Sequence, residues 1–157
     1  MKPVKIYFSF PVLLTDRENL YRSLNTKINK IHPNATLPYM WRSNKAYTNG
    51  EVIDCDIFIF KPSFNQWSFN IESLPSGVKN ELIKARALNK KIYMAYTTVE
   101  GEENMYKIQI KDGLICGIPG SSSDIYTDIG FLCSSSTSVA KNIIIEETTS
   151  YDLRLLL

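Results

Sequence analysis

A chain of 157 residues, 44% hydrophobic and 22% charged, fits one globular domain with a sizeable core and needs no multidomain account. Its formal net charge is +2, and its basic residues are spread from Lys2 to Arg154 among the acids, so nothing in it marks a nucleic-acid polymer as partner. The apolar run in MKPVKIYFSF is short and soon followed by TDREN, so neither a signal peptide nor a membrane span is expected, and the chain is placed in the cytoplasm.

Val4 to Phe10, VKIYFSF, is rich in β-branched and aromatic residues and stops at Pro11, which predicts a buried first strand. Thr15 or Asp16 then caps a helix whose Leu20, Leu24, Ile28 and Ile31 form one apolar stripe. ATLPYMW reads as a short second strand weakened by Pro38, and RSNKAYTNG as loop or helix start. DIFIFKP is a continuous apolar run, the pattern of a third strand buried on both faces. A long loop follows with three large rings, Phe64, Trp67 and Phe69. Val78, Leu82, Ala85 and Leu88 mark the next helix, and KKIYMAY the fourth strand. This alternation is that of an α/β fold with a mainly parallel sheet and flanking helices. Further on, MYKIQIKDGLICGI alternates around Asp112-Gly113 and predicts an antiparallel hairpin. PGSSSD and CSSSTS read as loops, and VAKNIIIEETTSYDLRLLL as one more strand and a terminal helix.

In open α/β sheets ligands bind beyond the carboxyl ends of the strands, where loops lead into helices. That rule selects Tyr7 and Ser9 at the end of the first strand, Trp67 and Ser73 on the loop after the third, and Ser76, Gly77 and Glu81 on the next helix. Gly77 allows close approach to bare backbone, and the free N–H groups of a helix start favour negative charge nearby. A partly sheltered, ionised carboxylate suits attack on a sugar carbon, because such a reaction passes through an oxocarbenium-like state. The three cysteines, Cys55, Cys116 and Cys133, lack Cys-x-x-Cys spacing, which speaks against a disulfide framework or zinc site. His32 is the only histidine, and Asn34 heads a glycosylation sequon by pattern alone.

The segments KIYF, TDREN, CDIFIF and Gly77-x-x-x-Glu81 followed by LIKARALNKKIYMAY, in that order, resemble the nucleoside 2-deoxyribosyltransferase family and its nucleotide N-hydrolase relatives. The resemblance covers roughly the first 96 residues, on short motifs that are weak singly and moderately specific together. It implies a flavodoxin-like or Rossmann-like fold, to which the hairpin read above adds a C-terminal β-hairpin extension within a single domain over 1–157, and it implies assembly into dimers or larger oligomers and cleavage of a deoxynucleoside N-glycosidic bond. It further implies that Glu81 is the nucleophile, that Tyr7 positions it, and that Asp56 assists proton transfer to the leaving base. The implied partner is a small nucleoside or nucleotide, with no metal or organic cofactor. The chain departs from the family pattern at Pro75, where members often carry an aspartate or serine.

Blander readings stand beside these. Glu81 is explained equally by the preference of acids for the early turns of helices, Tyr7 by the core, Asp56 by a turn before a buried strand, and the three loop rings by core cover. Two other functional classes remain: a non-catalytic nucleotide-binding or sequestering protein on the same fold, and a protein-interaction domain.

Overall fold

A computed structural model describes residues 3–11, 16–33, 35–40 and 49–134. Thr15, Asn34, most of RSNKAYTNG and the expected terminal strand and helix lie outside these. The apolar runs form the expected strands: β1 (Val4–Ser9), β2 (Thr36–Met40), β3 (Ile57–Phe60) and β5 (Lys91–Thr97). They are joined by α1 (Arg17–Ile31), α2 (Asn49–Asp54) and α3 (Ser76–Ala87). After β5 come β6 (Glu103–Lys111), β7 (Leu114–Gly117) and α4 (Asp124–Cys133). The sheet order is β2-β1-β3-β5-β6-β7-β4, where β4 is Ser68–Phe69.

The first four strands pair in parallel, but β5-β6, β6-β7 and β7-β4 are antiparallel, so the sheet is half parallel rather than mainly so. Connection length is the reason. A parallel crossover needs a dozen or more residues, whereas only residues 98–102 separate β5 from β6. Between β6 and β7, Asp112 and Gly113 both take positive φ, 55° and 78°, the two-residue hairpin turn that the sequence calls for.

The aromatic segment after β3 is more than a loop. It crosses to the far edge of the sheet, where Ser68 and Phe69 pair with Cys116 and Ile115, and continues through a 3-10 turn at Ile71–Ser73 into α3. A strand of two residues is too short to show periodicity, which is why the sequence conceals it. The three rings part company accordingly: Phe69 is buried, Trp67 half-buried and Phe64 exposed.

Two apolar cores flank the sheet. Val4, Ile6 and Phe8 of β1, with Ile57 and Ile59 of β3, pack beneath Leu20, Leu24 and Ile28 of α1 and Ile125 and Ile129 of α4. Tyr7, Phe58 and Phe60 face the other way, under Val78, Leu82 and Ala85 of α3. The alternation along β1 and β3 is that of strands buried on both faces. Both helical stripes end one position early, since Ile31 and Leu88 are exposed at their helix ends.

Helix α4 falls in sequence read only as loop and unassigned chain. Its Asp128 interrupts the apolar stripe, and in the structure that residue is buried. The carboxylate accepts a hydrogen bond from the Tyr93 hydroxyl and lies 3.5 Å from the Lys91 ammonium, so a charged network joins α4 to β5 inside the first core. Burial, reinforced by Asp128, pushes the Tyr93 phenol far above its ordinary pKa.

Two outcomes follow for stability. Asp128→Ala leaves the buried Lys91 charge without this counter-ion and is expected to cost about 3–5 kcal/mol in urea unfolding. Because the folded phenol holds its proton beyond the unfolded value near ~10, Tyr93 contributes fully below that pH and progressively less above it. Tyr93→Phe should therefore flatten the loss of stability on titration from neutrality past pH ~10. Elsewhere, a Cβ placed on Gly117 would lie 2.6–2.9 Å from the Trp67 ring, so Gly117→Ala should destabilise by about 1–3 kcal/mol in the same assay.

Candidate active site

The chain order reverses around β1. It leaves β1 through α1 to β2 on one side, then returns through α2 to β3 on the other, so the carboxyl end of β1 is a topological switch point. Tyr7 and Ser9 occupy the last half of this strand, opposite Phe58 and Phe60 of β3. Both belong to the alternate set of positions that faces α3.

Glu81 comes from the helix side. It lies between Val78 and Leu82 on the buried face of α3 and is only 8% exposed. No acid occupies the first turn of α3, and Glu81 sits in the second, so a helix-start preference does not account for it. Its carboxylate bridges to β1: the Tyr7 hydroxyl donates to Oε2 at 2.6 Å and the Ser9 hydroxyl donates to Oε1 at 2.6 Å. Such lengths are typical of charge-assisted O–H···O bonds. A carboxylate has roughly four lone-pair sites, so these two bonds do not exhaust its acceptor capacity. The two hydroxyls fix the plane of the group and aim it from the helix to the strand end.

The other candidates separate. Ser76 and Gly77 open α3, after Pro75, and are exposed; no side chain caps this end, and a Cβ on Gly77 would meet nothing within 4 Å. Ser73 turns back on its own 3-10 turn, donating to the Asn70 carbonyl at 2.7 Å. Trp67 packs edge-to-face on Tyr96 and Tyr106, with ring centroids 5.1 and 4.9 Å apart, and lies against Gly117, which makes it part of the antiparallel end. Asp56 is not brought to Glu81. It stands before β3, at the amino edge, where its carboxylate accepts the Lys5 N–H at 3.0 Å and its own N–H donates to the Lys5 carbonyl at 2.8 Å. Parallel strand direction is the reason: a residue preceding a strand lies at the edge opposite the one that binds ligands. The Cys55 thiol donates to the Val52 carbonyl, and the His32 imidazole Nε2 bonds to the Tyr126 carbonyl.

One residue that the sequence did not single out stands at the same edge. Lys61 follows β3 directly, and its N–H donates to the Ser9 carbonyl at 3.2 Å, placing its backbone beside the Glu81 clamp. Its side chain is buried, and burial lowers its pKa while the Glu103 carboxylate acts the other way. The rule that selected Tyr7 and Ser9, strand-end position, applies equally to Lys61.

A cleft of ≈280 Å³ lies elsewhere, at the antiparallel end, lined by Trp67, Ser68, Gln109 and Cys116 among others. It contains none of the Glu81 clamp. Among the described residues no cluster of His, Cys, Asp and Glu has the makings of a metal site, and no helix is long and apolar enough to cross a membrane. The chain matches no protein-family model, no curated protein and no solved structure.

Proposed function

We propose that the chain cleaves or transfers at the N-glycosidic bond of a deoxynucleoside or deoxynucleoside monophosphate, with Glu81 as nucleophile. The observation that carries this reading is the clamp itself, a buried carboxylate held at 2.6 Å by each of two hydroxyls at a strand-end switch point. The parallel half supports it, since β2-β1-β3 followed by the next parallel strand is the order of flavodoxin-like sheets. So does the resemblance in the first 96 residues, whose Tyr7 and Glu81 are the two ends of one hydrogen bond.

The chemistry runs as two displacements. A Glu81 oxygen attacks C1′ while the C1′–N bond breaks, its electron pair leaving with the base, which gains a proton. Water or a second base then attacks C1′, and the ester oxygen returns to Glu81 as carboxylate. The Tyr7 and Ser9 hydroxyls hold the nucleophile against rotation between these steps, so that little orientation is left to chance. Asp56, at the opposite edge, is not positioned to protonate the base. Homo-oligomeric assembly belongs to this reading, with sedimentation as its check.

The test is incubation with each deoxynucleoside and its 5′-monophosphate, with and without an acceptor base, followed by chromatography for free base. Base release by the wild type should fall by roughly 10³-fold or more in Glu81→Gln. Tyr7→Phe, which removes one hydroxyl from a charged acceptor, should lose about ten- to a hundredfold. Release that persists undiminished in Glu81→Gln would overturn the assignment. Ligand binding with no turnover would favour a sequestering protein instead.

A further inference from the structure

The two hydroxyls of the clamp do not stand in equivalent places. Ser9 is the last residue of β1, whereas Tyr7 lies two residues, roughly 6–7 Å, further back along the strand. The Tyr7 ring is fully buried and stacks on Phe58, with centroids 5.9 Å apart, so it is rooted in the second core. A serine hydroxyl sits one carbon from its backbone, and the Ser9 backbone is itself pinned, its carbonyl accepting the Lys61 N–H at 3.2 Å. The Ser9 bond of 2.6 Å therefore draws Oε1 to the end of the strand, while Tyr7 holds Oε2 at the same length. Ligands of such sheets arrive at the strand ends, which makes Oε1 the oxygen that meets C1′.

The two displacements ask different things of a donor on that oxygen. A hydroxyl bonded to a carboxylate favours the charged form. It stabilises Glu81 before attack, and it does so again as the carboxylate is re-formed when the C1′–Oε1 bond breaks. In between, Oε1 is an uncharged ester oxygen and a weaker acceptor, so the Ser9 bond loses strength. The glycosyl-enzyme is the state that gains least from Ser9, and the way out of it gains most.

We infer that Oε1 is the attacking oxygen and that the Ser9 hydroxyl speeds the second displacement by donating to Oε1 as it leaves C1′. This rests on the reading of Glu81 as nucleophile. In that step the oxygen of water, or a nitrogen of an acceptor base, bonds to C1′ from the side that the first base left. The electron pair of the C1′–Oε1 bond returns to Oε1, and the attacking group releases its proton to solvent. The Ser9 proton stays on Oγ throughout, shared with Oε1 and not transferred. Ser9 thus serves turnover, and Tyr7 the fixed orientation of the group.

Rapid quench and intact-mass spectrometry of the acid-quenched protein read the two steps separately, with the deoxynucleosides and their 5′-monophosphates as substrates. In Ser9→Ala, free base should appear in the first turnover at or above the wild-type rate, because the carboxylate has lost a donor and is the stronger nucleophile. Steady-state release should then fall by about tenfold or more, with a deoxyribosyl adduct accumulating on the enzyme. Added acceptor base should recover part of that loss, as it does when the second step limits. Ser9→Cys, close in size and a weaker donor, should fall between the two, and it takes the place of Ser9→Ala should that variant not fold. A first turnover slowed as much as the steady state, an adduct no more abundant than in the wild type, or wild-type turnover in both variants each overturns the inference while Glu81-dependent base release still stands. No base release by the wild type, or release that is independent of Glu81, removes the nucleophile reading and the inference with it.

Discussion

The bond from α3 to β1 through Glu81 is the constraint around which the carboxyl edge is arranged. A carboxylate on the buried face of a helix would be a fault in the second core unless donors met it there, because an unsatisfied charge in apolar surroundings is strongly unfavourable. Tyr7 and Ser9 meet it from alternate positions of one strand. That spacing is available only where consecutive residues point to opposite faces. It also requires α3 to lie over the sheet at one rotation, which Val78, Leu82 and Ala85 fix by packing into the second core. The polar clamp and the apolar stripe therefore set the same helix orientation, and each would be strained by a change in the other.

The two halves of the sheet divide the work. The parallel half brings two strand ends, a switch point and a helix start to one edge. The antiparallel half closes the open side of the sheet, and the segment from Lys61 to Leu74 joins the two by running from the end of β3 to the far edge and back to α3. Trp67, pressed between Tyr96, Tyr106 and the bare backbone of Gly117, anchors this excursion. A wide aromatic contact at the outer end keeps the inner end, Lys61 and Asn65, in place beside the site.

What was legible in the sequence follows from the range over which each signal acts. Tyr7, Ser9 and Glu81 could be selected because strand ends and helix starts are local patterns and the binding edge of an α/β sheet is a general consequence of topology. Asp56 went astray although its position was read correctly, since a resemblance between short motifs does not tell the amino edge from the carboxyl edge. Trp67 was selected by its place on the loop after the third strand, and the course of that loop to the antiparallel edge was not legible because β4, two residues long, leaves no trace in periodicity. Helix α4 was hidden by Asp128, which breaks the apolar stripe in sequence and completes a buried network only once Tyr93 and Lys91 are beneath it. Lys61 was passed over because a lysine reads as solvent-facing, although the strand-end rule covers its position, and its burial shows only in three dimensions.

Among the described residues Lys61, Glu81, Arg86, Lys91 and Asp128 are buried, and these charged side chains are held in different ways. Lys91 has Asp128, from another element, at 3.5 Å, and the pair holds α4 on the sheet. Glu81 has two hydroxyl donors, from Tyr7 and Ser9 of β1, which orient its carboxylate toward the strand end. Lys61 has a neutral amide, Asn65 Oδ1 at 3.0 Å, and feels the Glu103 carboxylate at a distance. Lys61 and Glu81 both stand at the carboxyl edge, with opposite signs and on opposite faces of the sheet, so the edge is polar on both sides while the strands behind it are apolar.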